Sequence, residues 1–154
     1  MTTSSISEAA KPNSALEPLS ILIGEWKTVG KHPFSPGTIL HGHASFKWLE
    51  GGAFLIMHAK VNDERFPAGI SIFGSDGSAE DYTMLYFDER GVSRKYTAAL
   101  KDNVWKWWRN DSEFSQRFTA KITDDGNTII GKGEMSKNGS PWEDDLDLTY
   151  TRIR

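Results

Sequence analysis

From Glu25 onward the chain alternates between apolar and polar positions with a period of two. Ala53, Leu55, Met57, Ala59 and Val61 fall on one side of an extended segment, and Phe54, Ile56, His58 and Lys60 on the other. Trp105 and Trp107 share a face, as do Arg94 with Tyr96, Phe114 with Gln116 and Phe118, and Tyr82 with Met84 and Tyr86. Turn-forming clusters interrupt the alternation at short intervals: Glu50-Gly51-Gly52, Asp63–Pro67, Asp76-Gly77, Asp88–Gly91, Asp102-Asn103, Asn110-Asp111, Asp125-Gly126 and Asn138-Gly139. Such residues accept the positive φ that tight hairpins need. The pattern predicts strands near Glu25–Lys31, Leu40–Leu49, Ala53–Val61, Gly69–Gly74, Asp81–Phe87, Ser93–Leu100, Val104–Arg109, Phe114–Ile122, Thr128–Met135 and Asp144–Ile153.

Before Gly24 the period is helical. Leu16, Leu19 and Ile23 recur at helix spacing, Ser14 and Glu17 are placed as a capping box, and Pro18 lies in the first turn. One short helix over Ala15–Ile23 is expected, ended by Gly24. Met1–Asn13 reads as a flexible tail, and 14–154 as one domain.

About ten short sequential strands with no crossover helix make an all-β, antiparallel protein. A meander of that size must deal with its two edges, and closing into an up-and-down β-barrel removes both; a two-sheet sandwich is the alternative. Gly42, Gly131 and Gly133 lie inside predicted strands, where closure needs sharp bends.

Composition narrows the function more than it names one. The chain has 154 residues and a net charge of -3, with 18 basic and 21 acidic side chains, which gives no basic excess for a nucleic acid. It has no Cys, so disulfides, thiolate metal sites and thiol chemistry are excluded. The runs Leu19–Ile23 and Ala53–Met57 are too short to cross a bilayer, and nothing near Met1 reads as a secretion signal, so a cytoplasmic location without a membrane partner is expected.

Gly24-Glu25-Trp26, opening the first strand after a short helix, resembles the G-x-W signature of lipocalin-like (calycin) barrels. The resemblance implies that Trp26 is partnered by a basic residue on the last strand, and Arg152 stands there. Trp48-Leu49-Glu50-Gly51-Gly52-Ala53-Phe54-Leu55, Tyr86-Phe87-Asp88-Glu89-Arg90-Gly91-Val92, Asp124-Asp125-Gly126 and Asp147-Leu148-Thr149-Tyr150-Thr151-Arg152 extend the likeness to a bacterial family of small lipocalin-like domains of unknown function. That family implies a fold and no reaction. The nitrobindin-like haem barrels begin similarly but draw an axial His from near their C-terminus, and this chain has no His after His58. No cofactor is therefore expected, haem included.

A barrel of this size is either filled by side chains or holds one small ligand. The leading expectation is a non-enzymatic binding barrel for a small apolar or aromatic molecule with an anionic end. Arg94, Tyr96 and Arg117 would anchor the polar end, Tyr86, Trp107 and Phe118 would supply wall, and His43 would line the cavity. Arg94-x-Tyr96 is similar in chemistry to the Arg and Tyr of fatty-acid-binding barrels, although it is not on the last strand. The alternatives are an isomerase-, cyclase- or hydrolase-type enzyme in the same cavity, with His43 and Tyr86 as its titratable groups, and a plugged structural barrel that forms a homodimer. His41-Gly42-His43 puts two imidazoles on one strand face without a third ligand, and the acidic run Glu143-Asp144-Asp145 with Asp147 lacks the spacing of a calcium loop, so no metal is expected.

Overall fold

The computed structural model describes residues 13–75, 77 and 81–154. Residues 1–12 of the expected tail Met1–Asn13, and Asp76 of one expected turn, lie outside the described residues. A 3-10 helix over Ser14–Leu22 is followed by β1 (Gly24–Lys31), β2 (Leu40–Leu49), a single 3-10 turn at Glu50–Gly52, β3 (Phe54–Val61), β4 (Gly69–Gly74), β5 (Tyr82–Asp88), β6 (Ser93–Lys101), β7 (Val104–Arg109), β8 (Phe114–Ile122), β9 (Thr128–Lys137), β10 (Glu143–Asp144) and β11 (Asp147–Arg152).

Each strand from β1 to β9 pairs antiparallel with the next, and β11 inserts between β9 and β1. The result is a closed, 10-stranded up-and-down barrel, with β10 a two-residue extension of β11 along β9. The tightest hairpin, between β6 and β7, has Asp102 and Asn103 at φ 53 and 60, the left-handed pair that matches strand twist.

The N-terminal helix closes one end. It is wound as a 3-10 helix, so three residues per turn stack Leu16, Leu19 and Leu22 on one side, all fully buried. The expected third member, Ile23, is the residue that ends the helix. Its cap is Asn13, whose Oδ1 accepts from the Ala15 N–H at 3.0 Å, and not the expected Ser14–Glu17 box. Asn13 also donates its N–H to the Gly52 carbonyl at 3.0 Å.

Trp26 and Arg152 are direct cross-strand partners on β1 and β11. The Arg152 guanidinium lies 4.2 Å from the Trp26 ring centre and donates to the carbonyls of Ile21 (2.7 Å), Ile23 (2.6 Å) and Gly126 (3.1 Å). Trp26 donates its indole N–H to the Leu22 carbonyl at 2.9 Å. One side chain thus ties the last strand to the helix end that plugs the barrel. Above this plug, Phe46, Leu55, Phe73, Trp105 and Ile129 fill the interior at 0% exposure.

The predicted last strand is broken into β10 and β11. Asp144 faces Glu134 and Leu148 faces Gly131, so three residues, 145–147, oppose two, 132 and 133. The extra residue is a bulge, and the Asp145 N–H donates to the Gly133 carbonyl at 3.0 Å within it. Gly133 allows the approach, because a Cβ there would stand 2.6 Å from the Leu146 carbonyl oxygen. A one-residue slip exchanges the two faces of a strand. Asp145, outward by simple alternation, is turned toward the barrel interior.

Candidate functional site

The two halves of the barrel differ. Most inward side chains near the helix are buried, whereas Met57, Tyr86, Arg94, Trp107, Gln116 and Leu148 point inward and are only half-buried. The half opposite the helix is therefore less completely covered, and its inward side chains, here called the cup, are partly reached by water.

Its wall is aromatic. Tyr86 and Tyr96 meet edge to face at 6.2 Å, Tyr96 and Trp107 at 5.1 Å, and Trp107 stacks on Phe118 at 5.2 Å with a 16° tilt. Phe118 also touches Trp105 at 5.8 Å, so it is the floor between cup and filled core. Gly131 makes room for it: a Cβ there would sit 2.1 Å from the Phe118 ring.

The rim is polar and continuous. The Tyr96 hydroxyl donates to Gln116 Oε1, the Gln116 amide donates to Asp145 Oδ2 at 2.8 Å, and Asp145 Oδ1 lies 2.8 Å from His32 Nε2. The Phe34 N–H donates to His32 Nδ1 at 2.9 Å. That fixes the lone pair at Nδ1 and the proton at Nε2, so His32 donates to Asp145. His32 then packs on Phe66 of the β3–β4 loop at 5.4 Å and on Phe34 at 6.1 Å. The belt runs from β6 through β8 and the bulge to the end of β1 and the β3–β4 loop.

Arg94 is the cation of the cup. Its guanidinium lies 4.7 Å from the Phe114 ring centre and beside the Tyr96 hydroxyl, and no carboxylate of the described residues lies within 4.0 Å of it. Glu134 is bonded to Arg117, and Asp88 to Arg90 and Tyr86. Arg109, also inward, is 3.5 Å from Asp111.

Two expected cup residues face the other way. Arg117 lies on the outer wall, bonded to Glu134 at 2.9 Å and stacked 3.9 Å over Trp142; Gln116 takes the inward position beside it. His43 is also outside, 3.4 Å from Glu25, because Ala44 is the inward residue of that part of β2. His41 shares that outer side, and no group of three His, Asp or Glu among the described residues is placed to hold a metal ion. Tyr86 is inward as expected. Burial first, and then its donation to Asp88 at 2.6 Å, push its hydroxyl pKa upward, so it stays protonated at neutral pH and is a poor base. His32, Gln116 and Asp145, which complete this belt, are not among the cup residues expected from the sequence.

Asp88 holds the β5 side of the cup. Its carboxylate accepts from Arg90 Nη2 at 2.7 Å and from Tyr86, and its side chain is fully buried. The Arg90 hydrogen bond is the main reason its carboxyl pKa falls well below the usual range. A depressed carboxyl stabilises the fold above the unfolded value near about 4, and that stabilisation is lost as pH falls from there through the folded value. We expect Asp88→Asn to cost about 1–2 kcal/mol at neutral pH, a cost that shrinks progressively as pH falls below about 4 toward the folded value. Urea unfolding as a function of pH checks this; an equal cost at both ends would exclude the ionised carboxylate as the source.

A recess of about 570 Å³ lies on the outer wall, bordered by His43, His58, Lys60, Ile70 and Phe87. His43, His58 and Lys60 are exposed there, and water competes for every polar contact. The inward Arg94 is the better anchor because part of its hydration is already removed. No helix among the described residues is long and apolar enough to cross a membrane.

No family model matches the chain, and no curated protein does. Solved structures do. Rv2717c from M. tuberculosis superposes with a TM-score of 0.67 at 16% identity, over 93% of this chain and 99% of that one. The S-type phycobiliprotein lyase CPES from Guillardia theta superposes with a TM-score of 0.60 at 9% identity, over 92% of this chain and 94% of that one. At these identities the likeness concerns architecture: the chain has a closed, lipocalin-like antiparallel barrel fold.

Proposed function

We propose that the cup half of the barrel binds one small apolar or aromatic molecule that carries an anionic end. The ring system lies against Tyr86, Trp107 and Phe118, and the anion is held by Arg94 beside the Tyr96 hydroxyl and the Gln116 amide. The observation that carries this reading is Arg94 itself, a half-buried, inward guanidinium without a carboxylate neighbour among the described residues. A partly desolvated cation in an aromatic wall is electrostatically incomplete, and a bound carboxylate, sulfonate or phosphate supplies the missing charge. The fold likeness to a phycobiliprotein lyase supports a small ligand or chromophore in such a cup.

The test uses an anilinonaphthalene sulfonate dye and its neutral parent, phenylnaphthylamine. Both are expected to bind with a rise in fluorescence, and the sulfonate more tightly. Arg94→Gln should weaken the sulfonate roughly 10- to 100-fold, the cost of a hydrogen-bonded charge pair, and leave the neutral dye within about twofold. Absence of binding by both dyes, or equal losses for the two, would overturn the reading.

A further inference from the structure

His32 stands where the polar belt meets the loops of the rim, and both of its ring nitrogens are in use. Nε2 donates to Asp145 at 2.8 Å, and Nδ1 accepts from the Phe34 N–H at 2.9 Å. The two contacts respond oppositely to a second proton on the ring. The bond to Asp145 strengthens into an ion pair. The bond from Phe34 cannot survive, because a protonated Nδ1 is itself a donor and would face another donor at 2.9 Å.

We infer that His32 is a proton-operated latch of the cup: neutral, it holds the β1–β2 loop at Phe34 against the rim, and protonated, it keeps Asp145 and releases that loop. The inference builds on the proposed cup, because it concerns entry to that chamber.

The surrounding charges fit this division. Asp145, from the bulge between β10 and β11, is the one carboxylate in direct contact with the ring among the described residues. Arg65, from the β3–β4 loop, lies 5.9 Å from the Phe34 ring centre and is already neutralised by Asp63 at 2.6 Å. Arg94 and Arg109 act on the far end of the belt, at Tyr96. His32 and Asp145 side chains are 17% and 14% exposed, so water reaches the ring without replacing its contacts. The released segment is short and lightly held. Phe34 is 66% exposed, and turn bonds from Ser35 to the His32 carbonyl and from Thr38 to the Ser35 carbonyl give the loop its remaining internal order. Phe34 packs on Phe66 at 6.4 Å, so its departure loosens the β3–β4 loop as well. The rim then opens between β1 and β4 while the belt from Tyr96 to His32 stays joined.

The variant that isolates the latch is His32→Asn. Its side-chain oxygen can accept the Phe34 N–H two residues on, as in an Asx turn, and it does not titrate. The experiment follows the wild-type protein from about pH 8 to about pH 5, the interval in which histidines change charge. Two-dimensional NMR reads the Phe34 amide and the His32 ring nitrogens. Fluorine NMR of fluorotryptophan-labelled protein, with a soluble paramagnetic quencher, reads access to Trp107. The Phe34 amide should move with the same midpoint as the His32 ring. Quencher access to Trp107 should rise roughly 2- to 10-fold, the population change that one hydrogen bond governs. His32→Asn should show neither change, and its melting temperature reports that it is folded. A Phe34 amide that ignores the His32 titration overturns the inference. So does a Trp107 that stays equally accessible, or an identical pH response in His32→Asn. No ligand enters these measurements, so failure of the dye experiment and failure of the latch are separate results.

Discussion

Arg152→Ala should lower stability by about 3–4 kcal/mol, a fall in melting temperature of roughly 10 °C for a domain of this size. The guanidinium makes two kinds of contact at once. It lies 4.2 Å from the Trp26 ring, and it donates to the carbonyls of Ile21, Ile23 and Gly126. These carbonyls belong to the end of the plugging helix and to the β8–β9 turn. Removing Arg152 leaves them without their donor at a partly buried junction of three segments. Arg152→Lys should recover less than half of the loss, because one ammonium cannot reach three acceptors in a plane and stack on the indole. A double-mutant cycle with Trp26→Phe should give a coupling of about 0.5–2 kcal/mol. An Arg152→Ala protein melting within about 2 °C of the wild type would show that the helix plugs the barrel unaided.

Trp105→Ala should cost about 3–5 kcal/mol. Trp105 is fully buried and is the hub of the filled half, touching Phe46 at 5.7 Å, Phe73 at 6.5 Å, Phe118 at 5.8 Å and Tyr150 at 6.1 Å. These neighbours come from β2, β4, β8 and β11, on all sides of the closed barrel. A barrel wall held by continuous backbone pairing cannot collapse into the space left, so most of the cavity persists. The indole N–H of Trp105 is buried without a hydrogen-bond partner among the described residues. Trp105→Phe removes this unpaired donor together with part of the ring, and the two effects oppose each other. Its cost should be under about 1.5 kcal/mol. Chemical denaturation of both variants decides the point: equal losses would mean that the indole N–H carries stabilisation, contrary to its surroundings. Because Trp105 supports Phe118, the floor of the cup, Trp105→Ala should also weaken dye binding, whereas Trp105→Phe should not.

The belt around the cup explains why the site was partly legible in the sequence. Arg94-x-Tyr96, Tyr86, Trp107 and Phe118 all point inward, as strand alternation placed them relative to one another. Alternation also put Arg117 on the face opposite Phe118 and His43 on the face opposite Ala44. Choosing them as cup residues weighed their chemistry above their phase. Gln116 was on the correct face and is less conspicuous than its charged neighbour.

Asp145 and His32 could not be found by counting. Asp145 points inward because one extra residue interrupts the pairing of β9 with β10 and β11, and alternation carried through an unseen bulge assigns the wrong face. His32 lies beyond the end of β1, where the period of two no longer applies, and its partner is 113 residues away.

Local pattern by itself determined that about ten sequential strands follow a short N-terminal helix, and where their hairpin turns fall, because each depends on neighbours within a few residues. It did not determine the winding of that helix or which of its residues are buried. These follow from the shape of the barrel end that the helix fills. Only the tertiary structure decided that one half is fully packed and the other only partly buried, since this depends on where side chains from ten strands meet inside a closed ring. The same closure selected which charged side chains point inward. A bulge changes the phase of everything beyond it, and its position is set by pairing between strands and not by either strand alone.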